Sequence, residues 1–180
     1  MRIVAGQWRG RKLAAPKGEA TRPTADRTRE TLFNMLVSRL GSFEGLSVAD
    51  LFAGSGALGL EALSRGAASC LFVEQDEAAV KAIRANVAAL DARARCDVRA
   101  SSVLSLGPVP QPFDLILLDP PYDTGAGAVA LDRLQRLGWI GPATWIALET
   151  GAKEVVEVKG FEIAAERKVG KAKLSLLRAA

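Results

Sequence analysis

Asp50-Leu51-Phe52-Ala53-Gly54-Ser55-Gly56-Ala57-Leu58-Gly59 runs from the end of an apolar stretch into the start of a helical pattern. Glycines at 54 and 56 let the backbone approach a ligand closely, and Gly59 lets a helix pack tightly on a sheet. Twenty positions after Gly54, Glu74 closes the next apolar stretch, where a carboxylate can accept both hydroxyls of a ribose. Without a ligand it would be an ordinary solvated helix-entry carboxylate. Gly54 to Gly59 also matches the dinucleotide fingerprint G-x-G-x-x-G with its downstream acid, so NAD competes for the site. Two features favour S-adenosylmethionine instead. Asp50 precedes the glycines by four positions, where it can meet a cationic group, and no diphosphate is needed to explain the turn. In this reading Glu74 holds the ribose, and the amino-acid end lies by the turn of Phe52, Gly54, Ser55 and Gly56. Adenine lies near Ala100-Ser101-Ser102.

Outward from this stretch, apolar runs alternate with helical patterns. Strands are expected at 47–52, 69–73, 96–99, 113–118 and 144–149, and helices at 58–65, 77–90 and 127–137. Such alternation, with strands apolar on both faces, points to a parallel α/β sheet. The tail differs: 162–169 and 173–178 are strand-like, joined by Gly170-Lys171-Ala172, and should close the sheet with an antiparallel hairpin. Ahead of the core, Arg2 to Leu13 reads as a small hairpin or extended arm. A helix capped by Thr24 then carries Leu32, Phe33, Leu36, Val37 and Leu40 at helical spacing. The 180 residues fit a single domain, with 1–45 as a basic arm and helix and 46–180 as the Rossmann-like core.

Asp119-Pro120-Pro121-Tyr122 directly follows the strand at 113–118 and reads as chemistry on a planar exocyclic amine. The lone pair of a nucleobase amine is delocalised into the ring. An enzyme that alkylates it must hold its protons with acceptors and turn the lone pair toward an electrophile. Asp119 supplies one acceptor and the Pro120 carbonyl another, aimed in advance because consecutive prolines restrict the backbone. Tyr122 offers a ring for stacking. Asp and Pro are also common in ordinary strand-ending turns, so the glycine stretch upstream is what tips the reading.

Composition narrows the partners. The net charge is +4, but Arg2, Arg9, Arg11, Lys12, Lys17, Arg22, Arg27 and Arg29 crowd the N-terminus against only Glu19 and Asp26. That basic arm suits a polyanion, with Arg9, Arg11, Lys12, Arg22, Arg27 and Arg29 as candidate phosphate contacts. Arg27 or Arg29 could equally pair with Glu30 or Asp26 on its own helix. The chain has no histidine, which excludes Ser-His-Asp triads and histidine-based zinc sites. Cys70 and Cys96, in apolar contexts without metal-type spacing, read as buried, reduced thiols of a cytoplasmic protein. No stretch suggests a spanning helix or signal peptide.

The chain resembles the bacterial 16S rRNA guanine-N2 methyltransferases that modify guanine 966, the RsmD type. The residues carrying the resemblance are Gly6-Gln7-Trp8-Arg9-Gly10-Arg11-Lys12-Leu13, Arg22-Pro23-Thr24 with Asp26-Arg27, Arg29-Glu30-Thr31-Leu32-Phe33-Asn34, Asp50 through Arg65, and Asp119 to Tyr122. The glycine stretch and Asp-Pro-Pro-Tyr identify only amino-methyltransferases at large; the N-terminal motifs select the family. The resemblance implies the seven-stranded class I S-adenosylmethionine-dependent methyltransferase sheet, order 3-2-1-4-5-7-6, with an N-terminal β/helix extension. It implies methyl transfer to guanine N2 in 16S rRNA, on an assembling small subunit, by a monomer without metal. Asp119, Pro120 and Tyr122 would be catalytic. Asp50, Phe52, Gly54, Ser55, Gly56, Glu74, Ser101, Ser102 and Asp119 would line the cofactor. One departure is that Asp123-Thr124-Gly125-Ala126-Gly127 holds no second aromatic or basic residue. The rival readings are a DNA adenine-N6 or cytosine-N4 amino-methyltransferase, for which the chain has no spare recognition segment, and a non-enzymatic RNA-binding module on the same scaffold.

Overall fold

The computed structural model describes residues 1–16 and 23–180, with Pro23 and Thr24 described by their backbone alone. Seven strands form one sheet: β1 (Ser47–Leu51), β2 (Ser69–Glu74), β3 (Cys96–Ala100), β4 (Leu115–Leu118), β5 (Trp145–Gly151), β6 (Phe161–Val169) and β7 (Ala172–Ala179). Their spatial order is β3-β2-β1-β4-β5-β7-β6. The first five are parallel, whereas β7 runs antiparallel between β5 and β6. Helices α1 (Pro23–Leu40), α2 (Ala57–Ser64), α3 (Glu77–Ala89) and α4 (Ala126–Arg136) complete the chain. Class I methyltransferase order and the closing hairpin are thus as the sequence led us to expect.

The continuous apolar runs of the central strands follow from burial on both faces. On one face Val48, Phe72, Leu115, Leu117 and Ala147 meet Leu60, Leu63, Ile83 and Val87 of α2 and α3, together with Phe33 and Leu36 of α1. On the other, Ala49, Leu51, Val73, Ile116, Leu118 and Leu148 meet Leu131 and Leu134 of α4 and the enclosed Trp139. Gly59 is required where α2 crosses the sheet: a Cβ there would lie 2.4 Å from Phe72 and 2.6 Å from the Cys70 sulfur.

Several details depart from the sequence reading. α1 begins at Pro23, one residue before the expected cap, because proline fixes a helical φ and its missing N–H falls among the unpaired donors of a first turn. The cap assigned to Thr24 lies outside the described side chains. β4 is two residues shorter than 113–118: the Phe113 N–H bonds the Trp139 carbonyl at 3.0 Å and its ring packs on Trp139 at 5.1 Å, which takes it out of the ladder. Short 3-10 turns at Arg93–Arg95 and Val103–Ser105 carry no periodic apolar pattern and were not legible. Cys96 is half-buried rather than buried, while Cys70, its register partner on β2, is enclosed. Both thiols are free, and burial pushes Cys70 well above the usual thiol range and Cys96 up to about 11.

The arm is a hairpin. Arg2 bridges Lys12, the Ile3 N–H bonds the Arg11 carbonyl at 3.0 Å and the Leu13 N–H bonds the Met1 carbonyl at 2.9 Å. Ile3, Trp8 and Leu13 enter the core beside α1 and α2. No helix among the described residues is long and apolar enough to cross a membrane.

Candidate active site

Register builds the site. Leu51 pairs with Val73 on one side and with Leu118 on the other, and Leu118 pairs with Leu148. The residues that follow, Phe52 and Ala53, Glu74, Asp119 and Glu149, therefore lie together along the C-terminal edge of the parallel strands, Glu74 as the last residue of β2 and Glu149 two residues before the end of β5. In open α/β sheets this edge, where the strand order reverses, is where ligands bind. Here the reversal falls between β1 and β4.

The turn after β1 is held in an unusual backbone. Phe52 has φ 58°, and Gly54 and Gly56 have φ 58° and 82°. For a bulky residue such a conformation costs about 1–2 kcal/mol, a strain that concentrates at functional turns. The Gly54 N–H donates to Glu74 Oε1 at 2.9 Å, and the Asp76 N–H donates to Oε2 at 2.8 Å. Glu74 is half-buried, and each of its oxygens keeps lone-pair capacity beyond that bond. No atom lies within 4 Å of the position a Gly54 Cβ would take, so the turn leaves space above it. The Ser101 N–H bonds the Glu74 carbonyl at 3.0 Å, bringing the end of β3 to the same place. Ser101 and Ser102 are half-exposed there, with the Ser102 hydroxyl accepting from the Leu104 N–H at 3.2 Å.

Asp50 is placed differently from the expectation that it meets a cationic group directly. It is wholly enclosed beneath the turn, where Oδ2 accepts the Gly59 N–H at 2.9 Å and Oδ1 has no partner among the described residues. Burial, opposed by the Gly59 bond and helped by nearby Glu74, pushes its carboxyl up to about 8. A buried polar atom without a partner is costly. An enclosed acid that a positive charge would ionise, open space at Gly54 and a half-exposed acceptor at Glu74 together fit a ligand with a cationic end and a ribose. The residues present therefore suit S-adenosylmethionine.

At the end of β4, Asp119 is exposed, Pro120 is buried and Tyr122 is 41% exposed. The Tyr122 hydroxyl donates to Glu149 Oε2 at 2.7 Å. Burial first, then Glu149, raise the phenol well above its usual range, so it stays protonated and remains the donor. The ring is thereby fixed beside Asp119 with one side open to solvent, and Thr124 closes the following turn by donating to the Pro121 carbonyl at 2.8 Å.

The basic residues divide. Arg9, Lys12 and Arg27 are exposed. Arg11 is exposed and donates to the Ala89 carbonyl at 2.9 Å. Arg22 lies outside the described residues. Arg29 does not belong among the phosphate contacts: it is buried, with its guanidinium on Glu61 at 3.3 Å, on Asp26 at 3.1 Å and on the Arg2 carbonyl. The intramolecular pairing allowed by the sequence is realised with Asp26, and Glu61 was not foreseen. Lys173 is likewise buried, donating to the Glu154 carbonyl.

Two residues of the site escaped the sequence reading. Asn86 accepts the Ala14 N–H at 2.7 Å and donates at 3.0 Å to the carbonyls of both Ala14 and Ser55, tying the glycine turn to the arm. Its signal was a lone amide among Val80, Ile83 and Val87 on the apolar face of α3. Glu149 stands two residues before the end of β5, while Glu74 closes β2, and an acid near a strand end was the available signal.

Residues 1–178 match a family described as "Conserved hypothetical protein 95". The chain is 40% identical over 150 residues to ribosomal RNA small subunit methyltransferase D of Escherichia coli, covering 83% of this chain and 74% of that one. It is 36% identical over 179 residues to the protein of the same name from Haemophilus influenzae, covering 94% and 89%. Its fold is similar to a solved structure of a proposed methyltransferase from Escherichia coli, with a TM-score of 0.84 at 36% identity over 99% of this chain and 97% of that one.

Proposed function

Because the chain belongs to the family described as conserved hypothetical protein 95, we propose that it is a small-subunit ribosomal RNA methyltransferase that uses S-adenosylmethionine to methylate the exocyclic N2 amine of a guanine in 16S rRNA. The relatives carry the rRNA methyltransferase name. The observation that carries the chemistry is the convergence of Glu74, the glycine turn and the Asp119-Pro120-Pro121-Tyr122 loop on neighbouring strand ends.

The bound cofactor supplies a methyl group on a positively charged sulfur, an electrophile that needs no further activation. Glu74, held by two backbone donors, offers its remaining lone pairs to the ribose hydroxyls. Asp50 would be drawn to its charged form by a cation above the turn, since an opposite charge favours ionisation. Asp119 and the Pro120 carbonyl accept the amine protons, aim the lone pair and stabilise positive charge as it develops, a preorganised electrostatic role. Tyr122 stacks the base in place. Alignment removes much of the entropic barrier, and the methylated nitrogen loses its proton to water or Asp119, so no histidine is needed. The exposed cations Arg9, Arg11, Lys12 and Arg27 meet phosphates, which position the RNA without reading its sequence.

The test is radiolabelled methyl transfer to small subunits from cells lacking the enzyme, followed by mapping of the modified base. Label on a guanine N2 of 16S rRNA is expected; label on adenine, on duplex DNA, or on nothing overturns the reading. Asp119→Ala should bind cofactor within a few-fold of wild type yet transfer methyl roughly 10²-fold or more slowly; a near-normal single-turnover rate would leave Asp119 a turn former.

A further inference from the structure

Purines and pyrimidines that carry an exocyclic amine differ in the ring nitrogen beside it. In guanine the amine lies between N1–H, a donor, and bare N3. Its ring-nitrogen neighbour in adenine is N1, and in cytosine N3, each a bare acceptor. An enzyme that grips the amine with acceptors can therefore choose guanine by placing one further acceptor where N1–H will be, because a bare lone pair there meets repulsion and gains no bond.

The sheet supplies such an acceptor. Leu118 and Leu148 are register partners on the parallel strands β4 and β5, so Asp119, the first residue past β4, and Glu149, still within β5 and paired with Leu174 of β7, lie side by side at the same level. Glu149 is half-buried, with the Tyr122 hydroxyl on Oε2 at 2.7 Å, so it stands beside the ring on which the base would stack. That bond uses one lone pair of a group that offers about four. The nearby Glu154 is committed differently, its Oε2 accepting the Gly151 N–H. Resting on the guanine-N2 reading above, we propose that Glu149 determines base specificity: it accepts N1–H of guanine while Asp119 and the Pro120 carbonyl hold the amine. Tyr122 then stacks the base beside the carboxylate that reads it.

The probe is 2-aminopurine, which keeps the N2 amine but presents N1 as a bare acceptor. Small subunits reconstituted with guanine or 2-aminopurine at the target nucleotide are methylated under single-turnover conditions by wild type, Glu149→Gln and Tyr122→Phe, with thermal melts to confirm folding. Wild type should prefer guanine by roughly 10²-fold or more. In Glu149→Gln the preference should shrink to within about tenfold, because an amide can turn its NH₂ toward the bare nitrogen. Tyr122→Phe should slow both substrates and keep the preference. Equal use of both bases by wild type, an undiminished preference in Glu149→Gln, or its equal loss in Tyr122→Phe overturns the proposal; the last would make Glu149 a support for the ring alone. Should Glu149→Gln fail to fold, Glu149→Ala takes its place: loss of the preference supports the proposal and its persistence overturns it. Failure of wild type on the guanine substrate itself would be read separately, as the fall of the guanine reading and of this proposal with it.

Discussion

Two wholly buried carboxylates, Glu61 on helix α2 and Asp50 on β1 beneath the start of that helix, are treated in opposite ways. Glu61 is saturated: Val4 and Ala5 N–H groups donate to it at 2.9 and 3.0 Å, and the Arg29 and Arg65 guanidiniums reach it at 3.3 and 3.0 Å. Asp50 receives one N–H and keeps one oxygen without a partner among the described residues. The first arrangement locks the N-terminal arm and α1 onto the core. The second leaves an acid that burial holds protonated directly under the glycine turn, and such a buried, half-satisfied acid is where a cationic ligand has something to contribute. Saturation marks scaffold here, and deficit marks site.

The sharpest way to break this contrast is Glu61→Ala, which removes the enclosed carboxylate from buried Arg29 and leaves it only the half-buried Asp26 and the Arg2 carbonyl. Removing one member of a buried ion pair costs about 3–5 kcal/mol, so the urea midpoint should fall steeply. A loss under about 1 kcal/mol would show that Glu61 behaves as a surface pair and holds nothing together.

Glu74→Ala tests the intermediate case, a carboxylate sharing its oxygens between backbone donors and the proposed ribose. Cofactor affinity should drop by an amount on the order of 1.5 to 3 kcal/mol, read by calorimetry, in a protein that still folds. Unchanged affinity would remove the ribose from Glu74.

Asp50 yields a pH signature. Its folded value, about 8, lies above the ordinary 3.8. Within that window the unfolded chain has released the proton and the folded chain retains it, so unfolding free energy falls as pH rises, by at most about 1.4 kcal/mol per pH unit. Asp50→Asn should abolish that slope in cofactor-free protein while Glu61 variants keep it. Parallel slopes for wild type and Asp50→Asn in denaturant melts across the window would show that Asp50 is not a strained acid.

The smallest effect concerns the arm that Glu61 clamps. Neutralising Arg9, Arg11 and Lys12 together should weaken RNA binding and flatten its salt dependence by roughly 0.7 to 0.9 in log-log slope per phosphate contact, with cofactor affinity unaltered. An identical slope would make the exposed face of the arm solvated scaffold and send the RNA elsewhere, for instance toward exposed Lys168 and Lys171.

The sheet was legible because its strands carry local signals: apolar runs ended by turn residues, helices ended by glycine, and a tail whose alternation differs from the core. The glycine turn was legible for a similar reason, since Gly54, Gly56, Gly59 and Glu74 lie close in sequence and each answers a local need. The base site was half-legible. Asp119 to Tyr122 announced itself, but Glu149 comes beside it only through the pairing of β4 with β5, 27 positions from Tyr122.

Arg29 was misplaced for the same reason, because its decisive partner, Glu61, is 32 positions away and a basic run looks the same whether its cations face water or an enclosed acid. What the sequence determined by itself was therefore the class of fold, the glycine turn and the family's kind of chemistry, all carried by contacts between near neighbours. Which carboxylates are saturated and which are left wanting was decided only by tertiary structure, since burial and the number of donors brought to an acid depend on strands and helices meeting across the chain.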